Sequence, residues 1–240
     1  MFTPIGYFAP SGPEVITDSL EQWMDVTTAG GSESTALTDK SGNGRNLTNN
    51  GFTWDSTNNW FYLSGNSDWN NHIGTNYHLS NYGGSYSYTV EMWIKVQTAP
   101  TLANQMIYGD RTSAVGNNFW VNSYRDDQDF GSGIADTQGD EAGAVTNTVY
   151  DDVWVLATFA NDGTTQTAEM RSNGSTEATV DMSAIGNVNS ARDWVLAGKY
   201  INSIRFFQDV QIGSWRKYSK YLTEAETLQN YNADKAHFGL

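Results

Sequence analysis

Tyr86-Ser87-Tyr88-Thr89-Val90-Glu91-Met92-Trp93-Ile94-Lys95-Val96 is the stretch that decides the fold. Tyr88, Val90, Met92, Ile94 and Val96 fall on one side of an extended chain, while Ser87, Thr89, Glu91 and Lys95 fall on the other with Trp93 among them. An apolar face backed by a mixed one is the pattern of a strand in a sheet packed on one side. Downstream, Val153-Trp154-Val155-Leu156-Ala157-Thr158-Phe159 is more continuously apolar and reads as a central strand. A turn at Asn161-Asp162-Gly163 leads it into a segment from Gln166 to Arg171, and Asn173-Gly174 returns the chain into Thr176 through Met182. Asn-Gly and Asp-Gly supply the positive φ of tight hairpin turns, so this region is expected to be a three-stranded meander.

The same alternation of short β-type runs and Gly, Asn, Asp or Ser punctuation covers most of the chain. Further strands are expected at Asp193 to Ala197 and at Asn202 to Phe207. Residues 125–146 hold Asp126, Asp127, Asp129, Asp136, Asp140 and Glu141 among glycines, and they read as a long surface loop containing one hairpin. Helical spacing emerges near the C-terminus. Thr223-Glu224-Ala225-Glu226 has the form of a capping box, which predicts a short helix over about 224–235. Three of the four prolines lie within the first thirteen residues, so residues 1–18 are read as an extended arm and 19–240 as one domain. The predicted fold is all-β: a two-sheet antiparallel β-sandwich with a short C-terminal helix.

Composition narrows the function. The chain has 240 residues, 13 Lys+Arg and 27 Asp+Glu, a formal net charge of −14, and no cysteine. Such an excess of negative charge opposes nucleic acid as a partner. The lack of cysteine excludes disulfides, thiolate zinc sites and thiol nucleophiles. The apolar runs, such as Val153 to Ala160, are too short to cross a bilayer. The first residues lack the basic and apolar regions of a secretory signal, so none is predicted. With 32 aromatic residues the chain has ample material for a packed core.

Four segments in order carry a resemblance. Asp39-Lys40-Ser41-Gly42-Asn43-Gly44 resembles the early turn of laminin-G-like, concanavalin A-like domains, and Ser87 to Lys95 resembles their central strand. Trp154 to Phe159 with Met170-Arg171-Ser172-Asn173-Gly174 is similar to a hairpin of that superfamily, and Ile212 to Thr223 to its closing strand. The C-terminal Leu222-Thr223-Glu224-Ala225-Glu226-Thr227-Leu228-Gln229-Asn230-Tyr231-Asn232-Ala233-Asp234-Lys235-Ala236-His237-Phe238-Gly239-Leu240 resembles the ending of laminin-G-like proteins from tailed-phage virions, with His237 in place of the usual arginine. The resemblance implies a jelly roll of concanavalin A type, a helix laid against it, and Tyr231 and Phe238 as packing anchors. It also implies a virion protein, expected on the outer surface given the charge. Trp93 and Trp154 are large enough to span the roughly 10 Å between packed sheets, which is the role expected of them.

Glucanases of this architecture carry Glu-x-Asp-x-x-Glu on one strand, whose alternate side chains place acid and nucleophile in one cleft. Glu91 is followed by Met92-Trp93-Ile94-Lys95, without that triplet, and His72, His78 and His237 stand without a nucleophile elbow. The chain is therefore read as a non-enzyme. Asp126, Asp127 and Asp129, with Asp136, are candidate Ca²⁺ ligands because relatives of this fold hold Ca²⁺ at a rim loop; the alternative is a solvated acidic loop. Residues 68–86 mix rings with Asn, Ser and Gly, the composition of sugar-binding loops, which makes Trp69, Tyr77, Tyr82 and Tyr86 candidate glycan contacts. The alternative is an edge loop against a neighbouring subunit. The leading expectation is a structural protein of a tailed phage, either capsid decoration or tail appendage, docked on other virion proteins through the N-terminal arm and homo-oligomeric. The second is a carbohydrate-binding adhesion module for host surface polysaccharide.

Overall fold

The computed structural model describes residues 13–63, 71–76, 82–96, 105–109, 118–123, 130–136, 140–146, 150–188, 193–196 and 210–240. Among these residues the strands form two antiparallel sheets and a two-stranded ribbon. The front sheet runs β14 (Ser175–Asp181), β13 (Thr167–Ser172), β12 (Val155–Asp162), β7 (Tyr88–Val96), β17 (Val210–Tyr218), β4 (Trp60–Leu63), β3 (Thr53–Asp55), and β1 (Leu20–Met24) also pairs with β17. The back sheet runs β11 (Glu141–Val145), β10 (Phe130–Ala135), β9 (Asn118–Ser123), β8 (Gln105–Gly109), β16 (Val195–Leu196), β5 (His72–Gly74), β2 (Thr48–Asn50). The ribbon joins β6 (Tyr82–Gly83) to β15 (Asn187–Val188).

The predicted central strand is central. β7 lies between β12 and β17, and its apolar face meets the back sheet as the alternation requires. Tyr88 and Phe159 pack ring to ring across the β7–β12 pair at 5.8 Å. The meander forms as expected, with Asn173 (φ 54°) and Gly174 (φ 87°) as a two-residue turn between paired Ser172 and Ser175. The other turn differs. The β12–β13 ladder continues to Asp162 opposite Thr167, so the turn is the four residues 163–166, because the Asn161 side chain is drawn inward instead of capping a tight reversal.

Residues 125–146 depart from the surface-loop reading where they are described. Phe130–Ala135 is a wholly buried strand, and with β11 it forms a hairpin integral to the back sheet. Small residues at Gly131, Gly133, Gly143 and Ala144 suit close packing of that edge, while Phe130 and Ile134 supply its apolar contacts. Of the strand predicted at Asp193 to Ala197, Val195–Leu196 is present as β16, and the one at Asn202 to Phe207 lies outside the described residues.

The Asp39 turn ties β1 to the loop after it. Asp39 accepts from the backbone N–H groups of Trp23, Ser41 and Arg45 at 2.9–3.0 Å, and Asn43 donates to the carbonyls of Leu20 and Glu21. A short helix, α1 (Glu33–Ala36), capped by Ser32, follows β1 and was not foreseen. At the other end α2 (Glu224–Asp234) carries the full capping box: the Glu226 N–H donates to Thr223 Oγ1, and Glu226 accepts from the Thr223 N–H.

Trp93 and Trp154 are buried, but they do not lie between the sheets. Trp93 has the parity of Glu91, so its ring leaves the outer face of β7, where α2 and the following turn cover it. Phe238 stacks on Trp93 at 4.3 Å and packs on Trp154 at 4.7 Å, and Tyr231 stacks on Trp93 at 5.6 Å. Both anchors named from the C-terminal motif therefore hold. Gly213, at a bulge in β17, makes room: a Cβ there would lie 2.6 Å from the Phe238 ring. Among the described residues Tyr108 on β8 bridges the sheets, its hydroxyl donating to the Val90 carbonyl at 3.3 Å.

Candidate functional site

Of the expected glycan contacts, Tyr86 falls on a turn whose shape is determined by buried hydrogen bonds. β6 leads into the turn at residues 84–87, closed by Tyr86 N–H to the Gly83 carbonyl at 3.2 Å. Beneath it the buried Asn161 amide donates to the carbonyls of Gly83 at 3.0 Å and Tyr86 at 2.6 Å, with a longer bond to Gly84. Ser87 accepts from the Gly163 N–H at 3.0 Å, and Gly84 N–H donates to the Ile185 carbonyl. Held in this way, Tyr86 presents its ring to solvent and is 38% exposed. A fixed aromatic plate with a hydroxyl at its tip suits contact with a sugar or protein surface. Tyr82 lies on β6 four residues before it, and Trp69 and Tyr77 lie outside the described residues. Sequence reading missed Asn161, which it treated as a turn residue; its signal was an Asn closing an otherwise apolar strand.

The acidic candidates Asp126, Asp127 and Asp129 also lie outside the described residues. Asp136 is described and 2% exposed, and both its oxygens accept backbone N–H groups, from Asp140 at 3.1 Å and Gly186 at 3.0 Å. It fixes the β10–β11 turn against the loop before β15. Among the described residues no group of three His, Asp or Glu is placed to hold a metal ion.

The most strongly perturbed chemistry sits under α2. Glu91 is fully buried, and Asn230 Nδ2 donates to its Oε2 at 2.8 Å while Arg216 Nη1 lies 3.7 Å away. Arg216 is bonded to Asp234, which also accepts from the Trp93 indole N–H at 3.1 Å. Asn230 donates to Tyr218 as well and accepts from the Ile16 N–H. Burial pushes the Glu91 carboxyl up to about 7, against the pull of Arg216 and Asn230. A carboxyl with such a value is a general-acid candidate by chemistry alone. Here α2 seals it away from any substrate, so the cluster is a clasp that fastens the C-terminal helix to the sheet. Arg171, likewise buried, completes the clasp by donating to the Leu222 carbonyl at 2.7 Å, to Thr227 and to Tyr221.

This architecture, two antiparallel sheets with a clasped terminal helix and an ordered aromatic turn, is that of an antiparallel β-sandwich. No family model and no curated protein sequence matches the chain. Among solved structures it is similar to the binding domain of Paraclostridial Mosquitocidal Protein 1, with 16% identity and a TM-score of 0.70 over 90% of this chain and 52% of that one. It is likewise similar to the botulinum neurotoxin serotype G binding domain, with 17% identity and a TM-score of 0.68 over 88% of this chain and 50% of that one. A third is the serotype D ligand binding domain solved in complex with N-acetylneuraminic acid, at 17% identity and a TM-score of 0.69, covering 90% and 51% of the two chains. The chain thus spans about half the length of these domains, and the likeness is one of fold.

Proposed function

We propose that this chain is a non-catalytic structural and adhesion domain of a tailed-phage virion, displayed on the outer surface, that contacts host surface glycans. The observation that carries the binding part is the sandwich itself, shared over nine-tenths of the chain with toxin binding domains, one of them solved with a sugar. The Tyr86 turn supplies an exposed ring on a backbone held by Asn161. The virion part is supported by the phage-like C-terminal segment, whose Asn230, Tyr231, Asp234 and Phe238 are the residues that build the clasp. The charge of −14 suits a surface kept away from packaged nucleic acid. Ca²⁺ at Asp126, Asp127 and Asp129, docking through the N-terminal arm and homo-oligomerisation belong to the same proposal.

A glycan array probed with the purified protein, with and without Ca²⁺, tests the adhesion reading. Retention on bacterial surface polysaccharides is expected, and silence across them would remove that half of the proposal. Removing residues 1–13 and offering the protein to particles that lack it tests the virion half; incorporation undiminished by the deletion would refute arm docking.

A further inference from the structure

One row of residues crosses the outer face of the front sheet in register. Arg171 on β13 lies opposite Thr158 on β12, Thr158 opposite Glu91 on β7, Glu91 opposite Arg216 on β17, and Arg216 opposite Trp23 on β1. Residues paired in an antiparallel ladder share a face, so these form a single band, onto which Thr227 and Asn230 of α2 reach. The charges of the band balance without Glu91. Arg171 is matched by Glu169 at 2.7 Å, and Arg216 by Asp234. Glu91 Oε2 accepts from Asn230, whereas its Oε1 is buried with no hydrogen-bond partner. An ionised carboxylate there would be a third anion beside two cations already engaged, with one oxygen lacking a donor. The enclosed site therefore suits the neutral acid, in keeping with a carboxyl that burial pushes up to about 7.

The start of the described chain hangs on the same helix residue. Asn230 donates to Glu91 and to the Tyr218 hydroxyl, and it accepts from the Ile16 N–H at 2.8 Å. Gln229 donates to the Glu14 carbonyl at 2.7 Å, and Lys220 pairs with both Asp18 and Glu226. Residues 14–18 are thus fastened to α2 at three places, and they lose two of them outright if the helix leaves. We infer that α2 and residues 14–18 form one proton-controlled latch, closed over the polar band while Glu91 is protonated and released together when it ionises. The latch requires neither glycan nor virion. With α2 lifted, Glu91 lies on an open sheet face and returns to the ordinary 4.5, so between 4.5 and about 7 each opening gives up a proton. The open population then rises with pH across that window and levels off above it, by about 70-fold from pH 5 to pH 8. The other groups that face Glu91 hold their state over this range. Guanidinium groups stay cationic, which covers Arg171 from β13 and Arg216 from β17. Burial pushes up the hydroxyls of Tyr218 on β17 and Tyr108 on β8, and Asp234 of α2 is tied to Arg216.

The test is amide hydrogen exchange of the full chain between pH 5 and pH 8, read by mass spectrometry and corrected for the intrinsic pH dependence of exchange. Protection over residues 14–18 and 224–235 is expected to fall in step by about 70-fold, with both segments exchanging at least about tenfold faster than β7 and β12 at every pH. Glu91→Gln should make that protection indifferent to pH. Histidine charges in the same range, and His237 lies on the turn after α2 with its ring against Phe238, so His237→Gln is the companion variant and should keep the fall. Protection flat with pH in the parent, a fall that survives Glu91→Gln, or one abolished by His237→Gln would overturn the latch. So would exchange of the two segments at different pH, or at the rate of β7 and β12, which would mean that they open only with the whole domain. Should Glu91→Gln not fold, the parent and His237→Gln together decide between the two titrating side chains.

Discussion

Replacing Glu91 by Gln isolates the energetics of the clasp. The carboxyl is enclosed by β7, β17 and α2, accepts from Asn230 and faces Arg216 at 3.7 Å. Burial raises it from 4.5 to about 7 in the folded chain. Between those values the folded protein holds a proton that the unfolded chain has released, so the group's contribution is present below the unfolded value and lost as pH rises through 7. Integrated from about pH 5 to about pH 8, that loss is about 2–3 kcal/mol. Glutamine keeps the acceptor for Asn230 and cannot ionise. Urea unfolding of both proteins across this range, followed by tryptophan fluorescence, should give curves that diverge, with the variant gaining about 2–3 kcal/mol on the parent between the two ends. Other carboxylates titrate equally in both proteins and cancel in the difference. Parallel curves would refute the reasoning, because they would mean that Glu91 is already ionised at low pH or is reached by water.

Two further outcomes follow from the packing. Phe238→Ala removes the ring that joins Trp93 and Trp154 beside Gly213, and it should lower stability by about 3–5 kcal/mol in denaturant with red-shifted tryptophan emission. Asn161→Ala leaves the Gly83 and Tyr86 carbonyls without their buried donor and should cost about 1–3 kcal/mol, with faster amide exchange at residues 84–87 as the local readout.

The sequence disclosed the parts of this fold whose signals are local. The two-residue period of β7, the Asn173-Gly174 turn and the Thr223–Glu226 capping box each concern residues a few positions apart, and each formed as read. The misplacement of Trp93 shows where that legibility ended. Its parity on β7 already put it with Glu91, but only the return of α2, 141 residues further along at Asp234, shows that this face is covered as well. Arg216 was hidden for a related reason: the bulge near Gly213 shifts the β17 register, so alternation counted from Ile212 does not predict which residues meet α2. Asn161 and Asp136 read as turn and loop residues because their partners, Tyr86 and Gly186, are set by tertiary contact. Of the expected glycan contacts, Tyr86 was legible as an exposed ring, whereas the hydrogen bonds that hold its turn depend on a distant strand end at Asn161.

The clasp has a mechanical consequence. Ile16 is bonded to Asn230, the Glu14 carbonyl to Gln229, and the Ile16 carbonyl to the Tyr218 hydroxyl, so the start of the described chain is fastened to α2 and the end of β17. Tension applied through the N-terminal arm would reach this junction with α2 before it reached the strands. A domain pulled by that arm would take the load at this knot, leaving the sheets unsheared.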